Sequence, residues 1–126
     1  MIPYVKIIIV DDDKITRDFL VDILAYSVNR KILTFETGFE AWCHLQKDES
    51  ADIIIFDVNI PEINGFELLG KIKQNFSSKT CILMSPAPAD EETARSLGAD
   101  AFLAKPFSVN DLFNIVQTFV IESSGR

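Results

Sequence analysis

A chain of 126 residues with 48% apolar and 25% charged side chains has the length and composition of one globular domain able to bury a substantial core. Its formal charge of −7 argues against nucleic acid as a direct partner, because affinity for phosphate backbones comes from Lys and Arg. No apolar run approaches the roughly 18 residues of a membrane span, and Met1-Ile2-Pro3-Tyr4 does not begin a signal peptide. Cys43 and Cys81 stand far apart inside apolar patterns, so they read as buried thiols in a reducing compartment, and the expected location is cytoplasmic.

In chain order, Val5 to Val10 is a near-continuous apolar run, the pattern of a central strand, and it ends abruptly in Asp11-Asp12-Asp13. From Ile15 the period becomes helical. Ile15, Phe19, Leu20, Ile23 and Leu24 fall on one face, with Asp13 as the predicted cap. Lys31 to Phe35 predicts a more polar strand nearer an edge, and residues 38–47 predict an amphipathic helix carrying Phe39, Trp42, Cys43 and Leu45. Ile53-Ile54-Ile55-Phe56 runs without alternation into Asp57, the pattern of a strand buried on both faces. Pro61 and Asn64-Gly65 mark a loop, and Phe66, Leu68, Leu69 and Ile72 predict a helix ending near Phe76.

Thr80 to Met84 is a fourth strand ending in Ser85. Glu91 to Leu97 is a short helix stopped by Gly98. Ala101 to Ala104 is a fifth strand ending in Lys105-Pro106. Ser108 and Asp111 form a capping signal for a last helix, whose predicted core face is Val109, Leu112, Phe113, Val116, Phe119 and Val120. Five strands alternating with five helices predict an α/β fold, a doubly wound parallel sheet. The single domain is placed at residues 1–122, with residues 123–126 as a polar tail or linker stub.

In a parallel sheet the strand ends meet at one edge, where open α/β sheets bind ligands. That gathers the aspartates of the first strand's end, Asp57, Ser85 and Lys105. Clustered carboxylates repel, and a hard divalent cation with oxygen ligands, most plausibly Mg²⁺, relieves the repulsion. A lysine and a hydroxyl opposite suit a phosphoryl group. On these grounds Asp57 is either a metal ligand or a nucleophile, since carboxylates accept phosphoryl groups in covalent catalysis. Each element has a blander reading in isolation. An acidic triplet is an ordinary helix start, Ser85 an ordinary strand-end hydroxyl, and His44 a packing residue with no partner at metal-ligand spacing.

The set as a whole, Ile7-Ile8-Ile9-Val10-Asp11-Asp12-Asp13, Asp57-Val58-Asn59-Ile60-Pro61 with Gly65, Ser85, and Lys105-Pro106-Phe107, resembles the response regulator receiver domain of two-component signal transduction systems over nearly the whole chain. The resemblance implies a flavodoxin-like sheet of order 2-1-3-4-5. It implies that Asp57 accepts a phosphoryl group from the phosphohistidine of a sensor histidine kinase or a histidine phosphotransfer protein. It implies that Asp12, Asp57 and the Asn59 backbone carbonyl ligate Mg²⁺, with Asp11 acting through water. Lys105 would pair with the phosphoryl oxygens and Ser85 would hydrogen-bond to one of them. Phe102 would be an aromatic switch whose inward turn remodels the face made by the fourth helix, fifth strand and fifth helix for an output domain or effector, with homodimerisation through that face left open. The Lys105-Pro106 peptide would be cis.

One residue departs from the family pattern. Pro86 follows the switch hydroxyl, where the family usually has a small residue whose N–H reaches the phosphoryl group. Proline has no N–H, and an unreplaced hydrogen bond to a charged group is worth roughly 1.5–3 kcal/mol. Pro86 is the sequence support for a rival reading, a receiver-like interaction module independent of phosphorylation. A second rival, a Mg²⁺-dependent phosphohydrolase, is opposed by Asn59, where such enzymes want a second carboxylate.

Overall fold

The computed structural model describes residues 5–27 and 30–121, so the tail assigned to residues 123–126 and the N-terminal residues 1–4 lie outside the described residues. Its elements are β1 (Val5–Val10), α1 (Lys14–Ser27), β2 (Arg30–Phe35), α2 (Gly38–Lys47), β3 (Ile53–Asp57), α3 (Gly65–Asn75), β4 (Thr80–Ser85), α4 (Asp90–Ser96), β5 (Ala101–Ala104) and α5 (Val109–Val116), the last continued by a π-helical turn, Gln117–Ile121. The strands form one parallel sheet in the order β2-β1-β3-β4-β5, the order the resemblance implies. No helix among the described residues is long and apolar enough to cross a membrane.

The near-continuous apolar runs of β1, β3 and β4 follow from burial on both faces. Successive side chains alternate between faces, so each strand feeds two cores. Ile8, Val10, Ile54, Phe56, Cys81 and Leu83 pack under α2, α3 and α4, against Leu45, Leu68, Ile72 and Ala94. Ile7, Ile9, Ile53, Ile55, Ile82 and Met84 pack under α1 and α5, against Leu20, Leu24 and Leu112. Cys81 lies inside the first core, where burial pushes its thiol up to about 12, so it is an inert packing group. Cys43 is half-buried, and both cysteines are free thiols.

Helix ends follow local chemistry. Asp13 accepts from the Thr16 N–H, Thr37 from that of Glu40 and Asn64 from that of Glu67. Ser108 and Asp111 form the expected capping box. Gly98, at φ 102°, closes α4 with the paired bonds Gly98 N–H to Arg95 O and Ala99 N–H to Ala94 O.

The helical faces are where the sequence reading needs correction. Ile15 is 80% exposed and Phe39 52% exposed, although the sequence pattern placed both among the apolar positions of an amphipathic helix. Each stands in the first turn of its helix, which starts several residues past the end of the preceding strand. Val109 and Phe113 are likewise exposed rather than core. β5 is an edge strand, so α5 has little sheet to cover and buries only the stripe through Leu112 and Ile115. Phe119 is partly buried on that stripe, while the side chains of Val116 and Val120 lie outside the described residues.

Candidate functional site

The alternation that builds the two cores also aims the strand-end side chains. Asp11 continues the Ile7 and Ile9 face of β1, Asp57 the Ile53 and Ile55 face of β3, and Lys105 the Ala101 and Leu103 face beyond β5. All three therefore converge above the α1–α5 layer. Ser85 has the opposite parity in β4 and turns toward α4.

At the centre the Lys105 ammonium bridges two buried carboxylates, donating to Asp11 Oδ2 at 2.8 Å and to Asp57 Oδ2. Asp11 is 1% and Asp57 5% exposed. Both are fixed by backbone. Asp57 Oδ1 accepts the Asn59 N–H at 2.7 Å, and Asp11 Oδ1 accepts the Asp13 N–H at 2.9 Å. Burial raises the Asp11 carboxyl above its ordinary value of 3.8, outweighing the hydrogen bond from Lys105. Burial alone would lower Lys105, but its hydrogen bonds to Asp11 and Asp57 outweigh it and raise the ammonium above 10.5, so it stays charged.

The neighbouring loops are built around this point. A Cβ on Gly65 would lie 2.5 Å from the Asp57 carbonyl oxygen, so only glycine lets α3 start there, with its N–H on Val58 O at 2.8 Å. The Lys105 N–H donates to Ser85 O at 2.9 Å, and the Lys105–Pro106 peptide is cis as expected.

Asp12 and Asn59 lie at the rim, exposed, and Asp13 is spent on capping α1. Ser85 is fully buried; its hydroxyl donates to Asp90 Oδ2 at 2.6 Å and accepts from the Ala87 N–H at 3.0 Å. Phe102 is half-buried, packed against the α2–α3–α4 core and lining a surface groove with Asp111 and Ile115. Pro86 is exposed and lines an open apolar groove of about 440 Å³ with Ile15, Phe19, Pro106 and Phe107, beside Lys105.

Sequence reasoning missed Arg17. Its side chain lies inward and donates to the Asp11 carbonyl at 2.7 Å and to Glu36 at 3.3 Å, tying the ends of β1 and β2 together. The helical period placed Arg17 on the polar face, and nothing local distinguished it from a solvated arginine. Asp90 was also missed, as one acid in the run that opens α4.

The donor set suits a hard cation. Asp11, Asp12, Asp57 and the Asn59 carbonyl offer only oxygen, and two of the carboxylates already face one positive charge. Among the described residues no three acidic, His or Cys side chains close into a cage. A hard cation held by few carboxylates at a solvent-facing rim keeps water among its ligands.

Comparison with known proteins gives one answer. The response regulator receiver domain family matches residues 7–117. A chemotaxis protein CheY homolog of Campylobacter jejuni is 31% identical over 125 residues, spanning 96% of each chain. Chemotaxis response regulator CheY4 of Vibrio cholerae superposes with a TM-score of 0.83 at 25% identity, over 94% of this chain and all of that one. The Mn(2+)-bound form of response regulator Rcp1 shares the fold, with a TM-score of 0.77 at 23% identity over 94% of this chain and 95% of that one.

Proposed function

The chain belongs to the response regulator receiver domain family of two-component signalling, a switch module rather than an enzyme with turnover as its purpose, and from that premise we propose that Asp57 is its phosphoacceptor. The observation that carries the assignment is the Lys105 ammonium held between Asp57 and Asp11, both buried, at the carboxyl edge of the sheet. Receiver domains act between histidine kinases and downstream effectors, and the donor here is the phosphohistidine of a kinase or a phosphotransfer protein. An Asp57 oxygen attacks phosphorus as the bond to the histidine nitrogen breaks. Phosphoryl transfer asks the protein for positioning and charge neutralisation, which Lys105 supplies from one side.

Asp12, Asp57 and the Asn59 carbonyl would hold Mg²⁺, with Asp11 behind a water. The bound ion would neutralise charge on the transferring oxygens. A divalent ion in the Rcp1 neighbour is consistent with this choice. Phosphorylation puts a group of about −1.5 to −2 charges where a single carboxylate stood beside Asp11, enough to redirect the Ser85 hydroxyl and draw the Phe102 ring inward, changing the α4–β5–α5 face. That face would then meet an effector, an output domain or a second copy of the chain, and the setting would be cytoplasmic. The retained Asp11, Asp57 and Lys105 constellation does not favour the phosphorylation-independent module, and Asn59 remains the wrong residue for a phosphohydrolase.

Incubation with Mg²⁺ and acetyl phosphate tests the assignment. One phosphoryl group per chain, absent in Asp57→Asn, is the expected result. Sustained hydrolysis of the donor without an accumulated acyl phosphate, or no phosphorylation at all, would overturn it.

A further inference from the structure

Ser85 is the least accessible polar group near the site, and its hydrogen bonds leave its single proton no freedom. A hydroxyl has one O–H to give. Here it goes to Asp90 Oδ2 at 2.6 Å, the length of a charge-assisted O–H···O⁻ bond. The Ala87 N–H occupies the hydroxyl's oxygen at 3.0 Å. Pro86, between them, brings no N–H at all. Of the two donors that the end of β4 could offer a phosphoryl oxygen, one is missing and the other is committed to a carboxylate.

Asp90 is placed to hold that commitment. It is the first residue of α4, after an Ala89 cap with no side-chain bond, and its own N–H bonds back to Ala87 O at 3.0 Å. The loop from Ser85 to Asp90 is thus closed on itself, the hydroxyl to the carboxylate and the Asp90 amide to the Ala87 carbonyl. Asp90 ties the end of β4 to the start of α4, one of the elements of the output face.

We propose that Asp90 is a positioning residue that latches the Ser85 hydroxyl away from Asp57, so that phosphorylation must exchange a carboxylate acceptor for a phosphoryl acceptor before α4 is released. This rests on the assignment of Asp57 as phosphoacceptor. The exchange moves one proton donor from one anion to another and breaks no covalent bond. A latch of this kind holds the unphosphorylated form and sharpens the switch, because Ser85 and α4 change partners together.

The test is a titration of the full chain with beryllofluoride, a phosphoryl mimic, in the presence of Mg²⁺, followed by calorimetry. The parent binds and Asp57→Asn does not; failure of the parent to bind would overturn the phosphoacceptor reading and the latch with it. Asp90→Ala, which frees the hydroxyl, binds about tenfold tighter, the scale of one charge-assisted hydrogen bond. Asp90→Asn, with a neutral acceptor, falls between. In the Ser85→Ala background the Asp90→Ala change has no effect. Binding by a normal parent with unchanged affinity in both Asp90 variants would overturn the latch alone. So would an equal gain with and without Ser85, which would mark Asp90 as background charge. Amide resonances of the unphosphorylated chain give a readout free of the mimic. Asp90→Ala shifts the Ala87 N–H, and in the Ser85→Ala background that shift disappears.

Discussion

The two edges of the sheet bury charge in opposite ways. At the amino edge two buried lysines are surrounded by acceptors. Lys6 Nζ meets Asp48 at 2.6 Å, Ser50 at 3.0 Å and His44 Nε2 at 3.4 Å, while Lys79 Nζ donates to the carbonyls of Glu49 and Ala51. At the carboxyl edge one lysine serves two buried carboxylates. In the first arrangement the cations donate to groups that are neutral or partly in water. In the second, anions outnumber cations where water is scarce. Contacts of the first kind serve the fold. A deficit of positive charge is an unmet demand, and a divalent cation or a phosphoryl-bound one would meet it.

The largest expected effect breaks the amino edge. Lys79→Met removes the cation, keeps most of the volume, and leaves the buried Ala51 carbonyl and the partly exposed Glu49 carbonyl without their donor. A buried orphaned acceptor costs about 1–3 kcal/mol, and removing an ammonium that burial disfavours offsets part of the total, so the loss expected in urea unfolding is about 2 kcal/mol. Phosphorylation of the folded fraction should not change. A variant as stable as the parent would show that the amino edge is not the structural counterpart drawn here.

The carboxyl edge should answer with the opposite sign. The folded state raises the Asp11 carboxyl above 3.8, so over the pH range just above that value the native chain binds more protons than the unfolded one. Stability then falls as pH rises through that range, and at neutral pH the ionised Asp11 is a net cost. Asp11→Asn is therefore expected to raise the stability of the chain at pH 7 while slowing phosphorylation in Mg²⁺, the usual exchange at a functional site. Loss of stability in that variant would mean that the bond to Lys105 outweighs burial.

How far these edges were legible in the sequence differs for the same reason. The alternation of strands and helices, the convergence of Asp11, Asp57 and Lys105, and the caps at Asp13 and Ser108 all follow from local patterns of run length and short-range hydrogen bonding, whereas the order of the strands in the sheet came from the family resemblance. The amino edge was not legible. Lys6 looked like one polar residue inside an apolar run, and its partners His44, Asp48 and Ser50 come from the C-terminal end of α2 and the loop after it, 38 to 44 positions along the chain. Ile15, Phe39, Val109 and Phe113 were misassigned because helical period reports which residues share a face, not how much sheet lies beneath that face. Arg17 and Asp90 needed coordinates, since each acts through one long side chain or one bond across a loop.

The smallest effect concerns the one titratable group at the amino edge with an ordinary value near neutrality. Burial first, and the Lys6 charge second, lower His44 below 6.5, while the more distant Lys31 pushes the same way and Asp48 opposes. As pH falls below 6.5 the unfolded chain protonates this imidazole before the native chain does, so stability declines on acidification and recovers as pH rises. Asp48 does not confuse the reading, because its hydrogen bond from Lys6 holds its carboxyl well below the usual range and its contribution fades only where free carboxylates take up protons. The imidazole is only partly covered, packed on Phe35 at 5.3 Å, so solvent screening leaves about a few tenths of a kcal/mol between pH 7 and 5. His44→Gln keeps a neutral acceptor near Lys6 and should flatten that slope while lowering the whole curve through lost ring packing. A slope of the same sign that survives the substitution would show that His44 is not its source, since the raised Asp11 carboxyl acts in the opposite direction.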